Sequence, residues 1–126
     1  MPKYTDDQLD RWILQLLKQH VGRQSPIGRW ELVTRIFGPQ AAFPQTDDNL
    51  ADRNIRESVA RLRRRGVLIC DMSNGSGRFL AASPDEYQAF RLKYGGRAFE
   101  VLETLREMDK AAEQTWVTNP LQPKLI

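Results

Sequence analysis

Between Arg53 and Arg65 the chain sets six arginines against a single acid, Glu57, and a seventh, Arg78, follows a Gly-rich turn in "CDMSNGSGRFLA". A guanidinium is a permanent cation with a planar fork of donors. It suits bidentate contact with phosphate oxygens or with guanine O6 and N7. The chemistry these residues offer is anion recognition rather than bond making. Elsewhere the sequence shows no nucleophile–base pair, phosphate loop or zinc-type spacing, so no enzyme, metal or cofactor chemistry is expected. His20 has no second metal-type residue spaced with it and reads as a helix-end residue. Cys70 is the one cysteine. It excludes an internal disulfide and reads as a small buried hydrophobe. Asp6, Asp7 and Asp10 read as first-helix acids on the solvated side.

The elements that must position the arginines follow from hydrophobic spacing. Thr5 and Gln8 have capping-box spacing, and Leu9, Trp12, Ile13, Leu16 and Leu17 recur as one helical face. A second helix is expected over "IGRWELVTRIFG", with Ile27, Trp30, Val33 and Phe37 on its stripe; Trp12, Trp30 and Phe37 are expected in the core. Gly38 to Ala51 reads as a loop with one short helical turn at Ala41-Ala42. A third helix begins near Asp52, with Asn49 as the alternative cap, and buries Ile55, Val59 and Leu62. Arg53, Glu57, Arg61 and Arg64 then fall opposite this stripe, with Arg56 and Arg63 on one flank, and Gly66 closes the helix. "VLICDM" and "RFLA" flank Asn74-Gly75, the signature of a tight primed hairpin turn with positive φ at both positions. Ser83, Pro84 and Glu86 fit N-cap, N1 and N3 of a last helix reaching about Trp116.

Helix, helix, basic helix, hairpin, helix is the order of a winged helix-turn-helix, so the expected fold class is mainly α with a small β-hairpin and a long C-terminal helix. "DRNIRESVARLRRRGVL" resembles the recognition helix of GntR-type regulators, and "GSGRFLA" resembles their wing. The chain as a whole is similar to small phage and prophage winged-helix proteins that end in one long helix. The resemblance implies double-stranded DNA as partner and transcriptional regulation as the function. It places Ile55 and Val59 in the core and brings Arg53, Asn54 and Arg56 to DNA. The full expected DNA-binding set is Arg53, Asn54, Arg56, Glu57, Arg61, Arg63, Arg64, Asn74 and Arg78. Two departures stand out. The 38–51 segment is longer than the turn of roughly 3–4 residues in a standard helix-turn-helix, and Arg78 stands where those wings carry threonine. The alternative function is a winged-helix protein-protein assembly module, or an accessory replication factor without strong sequence specificity.

The expected organisation is a DNA-binding domain over residues 5–82, the long helix over 83–116 and an extended tail over 117–126. Tyr87, Tyr94, Val101 and Met108 repeat every seventh residue, with Ala98, Leu105 and Ala112 interleaved. This pattern predicts a homodimer through Tyr94, Val101, Leu105 and Met108, and hence an operator that is an inverted repeat. Gly95-Gly96 is the expected place for a kink. The net charge of +3 adds only a mild preference for an anionic partner. With no apolar run near the ~20 residues of a membrane span and no signal-peptide pattern at the start, a cytoplasmic protein is expected, and nothing points to a small-molecule effector.

Overall fold

Thr5 begins the first helix through a reciprocal pair of bonds. Its hydroxyl accepts the Gln8 N–H, and the Gln8 side chain accepts the Thr5 N–H. This capping box starts α1 (Asp6–Leu17), in a computed structural model that describes residues 2–116. The tail expected at 117–126 lies outside the described residues. Leu9, Ile13 and Leu17 are buried along α1, as the spacing requires. Two neighbours reverse their expected places: Trp12 is 48% exposed and Asp10 only 2%. Helix geometry explains both. At 100° per residue Asp10 lies about 60° from Ile13, inside the buried face, whereas Trp12 lies about 100° away on the other side. His20 falls beyond the helix end, in a turn where Nδ1 lies 3.0 Å from the Ser25 carbonyl oxygen.

α2 (Arg29–Phe37) starts at Gly28 and buries Leu32, Val33, Ile36 and Phe37, while Trp30 is half-buried. Ile27, expected on the helical stripe, is extended instead. It exchanges two backbone hydrogen bonds with Arg78, at 2.8 and 2.9 Å, and so joins the hairpin. The single helical turn expected after α2 is present as a 3-10 turn over Pro39–Ala42. Asn49, rather than Asp52, caps the third helix. Its Oδ1 accepts the Asp52 N–H, while its Nδ2 donates to the carbonyls of Ala41 and Pro44, each at 3.0 Å. One buried side chain thus fixes both the long loop and the start of α3 (Leu50–Arg64). On α3, Ile55, Val59 and Leu62 are buried against α1 and α2. Each such side chain stabilises the fold by roughly 1.5–3 kcal/mol.

β1 (Ile69–Asp71) and β2 (Arg78–Leu80) pair antiparallel, with Cys70 opposite Phe79 and Asp71 opposite Arg78. Cys70 is fully buried, as its pattern suggested. The turn differs from the expected primed type. Within the turn only Gly75 has positive φ, at 74°, and among the described residues no non-glycine residue does. The Met72 carbonyl accepts the Gly75 N–H at 2.9 Å, and the Met72 N–H donates to Gly77 at 2.8 Å, so a longer loop closes the hairpin. α4 (Pro84–Trp116) is capped by Ser83, whose Oγ accepts the Glu86 N–H. It continues as helix through Gly95 and Gly96 and buries none of its side chains. The chain divides into two units, Met1–Phe90 and Arg91–Ile126. The first turns of α4 go with the first unit. There the Glu86 carboxylate accepts backbone N–H groups from Ala82 and Arg23, at 2.8 and 3.0 Å.

Gly77 is the tightest point of the hairpin. A Cβ there would overlap the backbone carbonyl of Ile27. We expect Gly77→Ala to separate Ile27 from β2 and to lower stability by about 1–3 kcal/mol, the usual range for overpacking. Chemical denaturation followed by circular dichroism measures this. An unchanged midpoint would mean that the Ile27 pairing contributes nothing.

Candidate nucleic-acid interface

The arginines of α3 divide by what they touch. Arg61 turns toward α1, where Nε and Nη2 reach the Asp10 carboxylate at 2.8–3.1 Å. Ser58 Oγ donates to the same carboxylate at 2.5 Å. Burial pushes the Asp10 pKa up. The hydrogen bonds from Arg61 and Ser58 and the charges of Arg61 and Arg65 outweigh it and hold the group below its ordinary value. Asp10 is therefore an interior ion joining α1 to α3, and Arg61 is its counter-ion rather than part of an open face.

A second buried carboxylate, Asp52, is fully enclosed at the start of α3. Arg29 from α2 grips it with both ends of its fork, at 3.1 and 2.8 Å. Arg56, one turn further along α3, donates from Nε at 3.0 Å. Arg29 also bridges to Asp47, and Arg56 donates to the Asp47 carbonyl, so the loop before α3 is tied in as well. Here too burial raises the pKa, while the Arg29 hydrogen bonds and the charges of Arg29, Arg56 and Arg78 bring it below the ordinary aspartate value. The Arg29 guanidinium is held above its own ordinary value, chiefly by its bonds to Asp52.

The third grouping fixes the hairpin. Arg63 donates to the Ile69 carbonyl at 3.0 Å, pairs with Asp71 at 3.2 Å and lies over the Phe90 ring at 5.0 Å. Arg78 pairs with the same Asp71 at 3.4 Å and has only 16% of its side chain exposed. Burial pushes the Arg78 pKa down, Asp71 opposes this, and nearby Arg63 adds to the depression. Both were expected at a DNA surface, yet the structure uses them to hold β1 and β2 against the C-terminal end of α3. Asn74 is exposed at the hairpin tip, and its Oδ1 accepts the Ser76 N–H at 3.0 Å.

What remains outward on α3 is Arg53, Glu57 and Arg64, all exposed, with Asn54 half-buried beside them. Among the described residues no carboxylate lies within ion-pair distance of Arg53 or Arg64. Arg56 keeps 43% of its side chain exposed despite its bonds to Asp52. Arg65, also exposed, lies 3.7–3.8 Å from Asp7 and Asp10. Acids adjoin the N-terminal end of this face: Asp47 is 92% exposed, and Asp48 is close enough for Arg53 to help depress its pKa, after the Thr46 and backbone hydrogen bonds. Sequence spacing separated α3 into faces but could not distinguish Arg61, which has an interior partner, from Arg64, which projects outward.

Among the described residues no cluster of His, Cys, Asp and Glu is arranged to hold a metal ion, and no helix is long and apolar enough to cross a membrane. No family model, curated protein or solved structure matches the chain.

Substitution should separate the two kinds of arginine. Arg61→Ala strands the buried Asp10 charge and should cost about 3–5 kcal/mol of stability, as breaking a buried pair does. Arg64→Ala should stay within about 0.5 kcal/mol of wild type. Because Asp10 and Asp52 have depressed pKa values in the fold, their stabilisation is present above the ordinary value of 3.8 and is lost as pH falls through the lower folded value. Urea titrations from pH 7 to pH 2 should show that loss. Asp10→Asn should be less stable at neutral pH with a flatter acid limb; a limb as steep as wild type would place the linkage elsewhere.

Proposed function

We propose that the chain binds double-stranded DNA, as a sequence-specific transcriptional regulator of winged-helix type that lays the outward face of α3 in the major groove. The supporting observation is the pair Arg53 and Arg64. They are exposed on one face of α3, Arg64 without an ion-pair partner among the described residues and Arg53 with only the longer-range charge of Asp48 beside it. They are eleven residues apart, about 16 Å along the helix axis at 1.5 Å per residue. An α-helix with cations at that spacing can meet base edges with one and a phosphate with the other. The order of α1, α2, α3 and hairpin, with the Ile27 segment paired to β2, fits a winged helix-turn-helix. Asn54 and Arg56 border the same face. Asn74 at the hairpin tip is the wing residue open to a flanking phosphate. Arg61, Arg63 and Arg78 shape this surface by holding its supports and contribute charge at longer range.

A second reading, docking to another protein, draws support from a different observation. Phe43 and Leu50 are 68% and 57% exposed near the start of α3, beside Asp47 and Asp48. An apolar and acidic margin of this kind suits a protein surface better than a phosphate backbone.

Fluorescence anisotropy with duplexes selected from a random pool tests the first reading against the second. Affinity should fall steeply with salt through counterion release. Arg64→Ala should lower the salt slope by about one unit if it meets a phosphate. Arg53→Ala should lose about 1–3 kcal/mol of specific affinity if it meets a base. Both variants should melt like wild type. No enrichment in the selection, with no salt-dependent duplex affinity, would refute DNA binding and leave the docking reading.

A further inference from the structure

The unit that begins at Arg91 is the far part of α4, and its apolar side chains lie open: Tyr94 is 63% exposed, Val101 51%, Leu105 46% and Met108 60%. Tyr94, Ala98, Val101, Leu105, Met108 and Ala112 are spaced 4, 3, 4, 3 and 4 residues apart. This is the a/d spacing of a coiled-coil seam. A helix that leaves such a seam largely exposed is covered well by a partner surface with the same spacing, and a second α4 supplies one.

Orientation follows from two further features of the same segment. In a parallel pair each residue would face its own copy, giving a Tyr94 layer, then alanine against alanine at Ala98 and again at Ala112, so the seam would be alternately crowded and hollow. In an antiparallel pair centred on Glu103, Tyr94 faces Ala112, Ala98 faces Met108 and Val101 faces Leu105. Large meets small in the outer layers and medium meets medium at the centre, which gives even packing without voids. Charge selects the same arrangement. Residues 91–97 carry Arg91, Lys93 and Arg97 with no acid. Residues 98–116 carry Glu100, Glu103, Glu107, Asp109 and Glu113 against Arg106 and Lys110. Arg106 and Lys110 also pair within the helix, with Glu103 and Glu107 at 3.3 and 3.2 Å. An antiparallel pair sets the basic end of each helix beside the acidic end of the other. A parallel pair sets like beside like.

We propose that this chain self-associates through α4 as an antiparallel two-helix coiled coil, with Tyr94 of each copy packed on Ala112 of the other. This interface does not depend on the nucleic-acid reading and is tested without DNA. Sedimentation equilibrium should give twice the 14.6 kDa chain mass. Orientation is read by disulfide trapping in a Cys70→Ala background. Chains carrying Tyr94→Cys, mixed with chains of different tag length carrying Ala112→Cys, should form the mixed-length crosslink as the main product. Like-length crosslinks as the main product would establish parallel pairing and overturn the proposal, as would a monomer at every concentration. Because cysteine at a seam position can weaken packing, a second variant reads charge alone. Reversing Lys93 and Arg97 to glutamate, both outside the seam, should raise the dimer dissociation constant at least tenfold at low salt, with normal helicity. No change in the dissociation constant would contradict the antiparallel charge pairing.

Discussion

Two carboxylates that cannot be left alone govern this molecule. Asp10 and Asp52 lie in the interior, where an unpaired charge is far more costly than at a surface. Each is satisfied by arginine from a different helix. Asp10 fixes α1 to α3 through Arg61 and Ser58. Asp52 fixes α2 and the preceding loop to the start of α3 through Arg29 and Arg56. A third, less buried carboxylate, Asp71, collects Arg63 and Arg78 and fixes the hairpin. Directional ion pairs thus engage α3 near both ends, and the arginines committed to them are not the ones that face outward.

The charge of α3 therefore has two functions. Arg56, Arg61 and Arg63 hold neighbouring elements, whereas Arg53 and Arg64 are presented to solvent. This division matters for the proposed contact with DNA, because a recognition surface needs donors on a backbone that does not shift. Interior ion pairs provide such a backbone. They also bring acids close to the surface, and Asp47 and Asp48 temper the positive potential at the N-terminal end of α3. In the proposed DNA complex, this balance would make Arg64 the principal phosphate contact on this helix and leave Arg53 the more dependent on a specific base.

Features set by neighbouring residues were legible in the sequence. The Thr5–Gln8 box, the Ser83 cap, the turn at Ala41-Ala42 and the Ile55/Val59/Leu62 stripe are all decided within one or two helical turns, so spacing was enough. Features set by distant partners were not. Asp10 and Arg61 are 51 positions apart, and no periodicity reports that a given arginine has found an aspartate across the fold. The position of Asp10 near Ile13, and of Arg56 one turn beyond Asp52, are the local traces of those pairs. Ile27 fitted the stripe of α2 by spacing alone, but the proline before it and the glycine after it favour an extended segment, which the hairpin then recruits. The turn at Asn74-Gly75 failed as a primed two-residue type because the strands end earlier, at Asp71 and Arg78. The seam of α4 was legible as a repeat, and its bearing on helix orientation emerged once its side chains were found uncovered.

If the chain binds DNA as proposed, interior aspartates hold one set of arginines while another meets the duplex. Arginine side-chain Nε–Hε resonances, observed by NMR while a selected duplex is titrated in, test it residue by residue. The account predicts large shifts at Arg53 and Arg64, together with the backbone amide of Asn74. It predicts Arg61 and Arg29 signals that are present in the free protein, slow to exchange with water and little changed at saturation. Shifts centred on Arg61 or Arg29, or no shift at Arg53 and Arg64 when the duplex is bound, would contradict it.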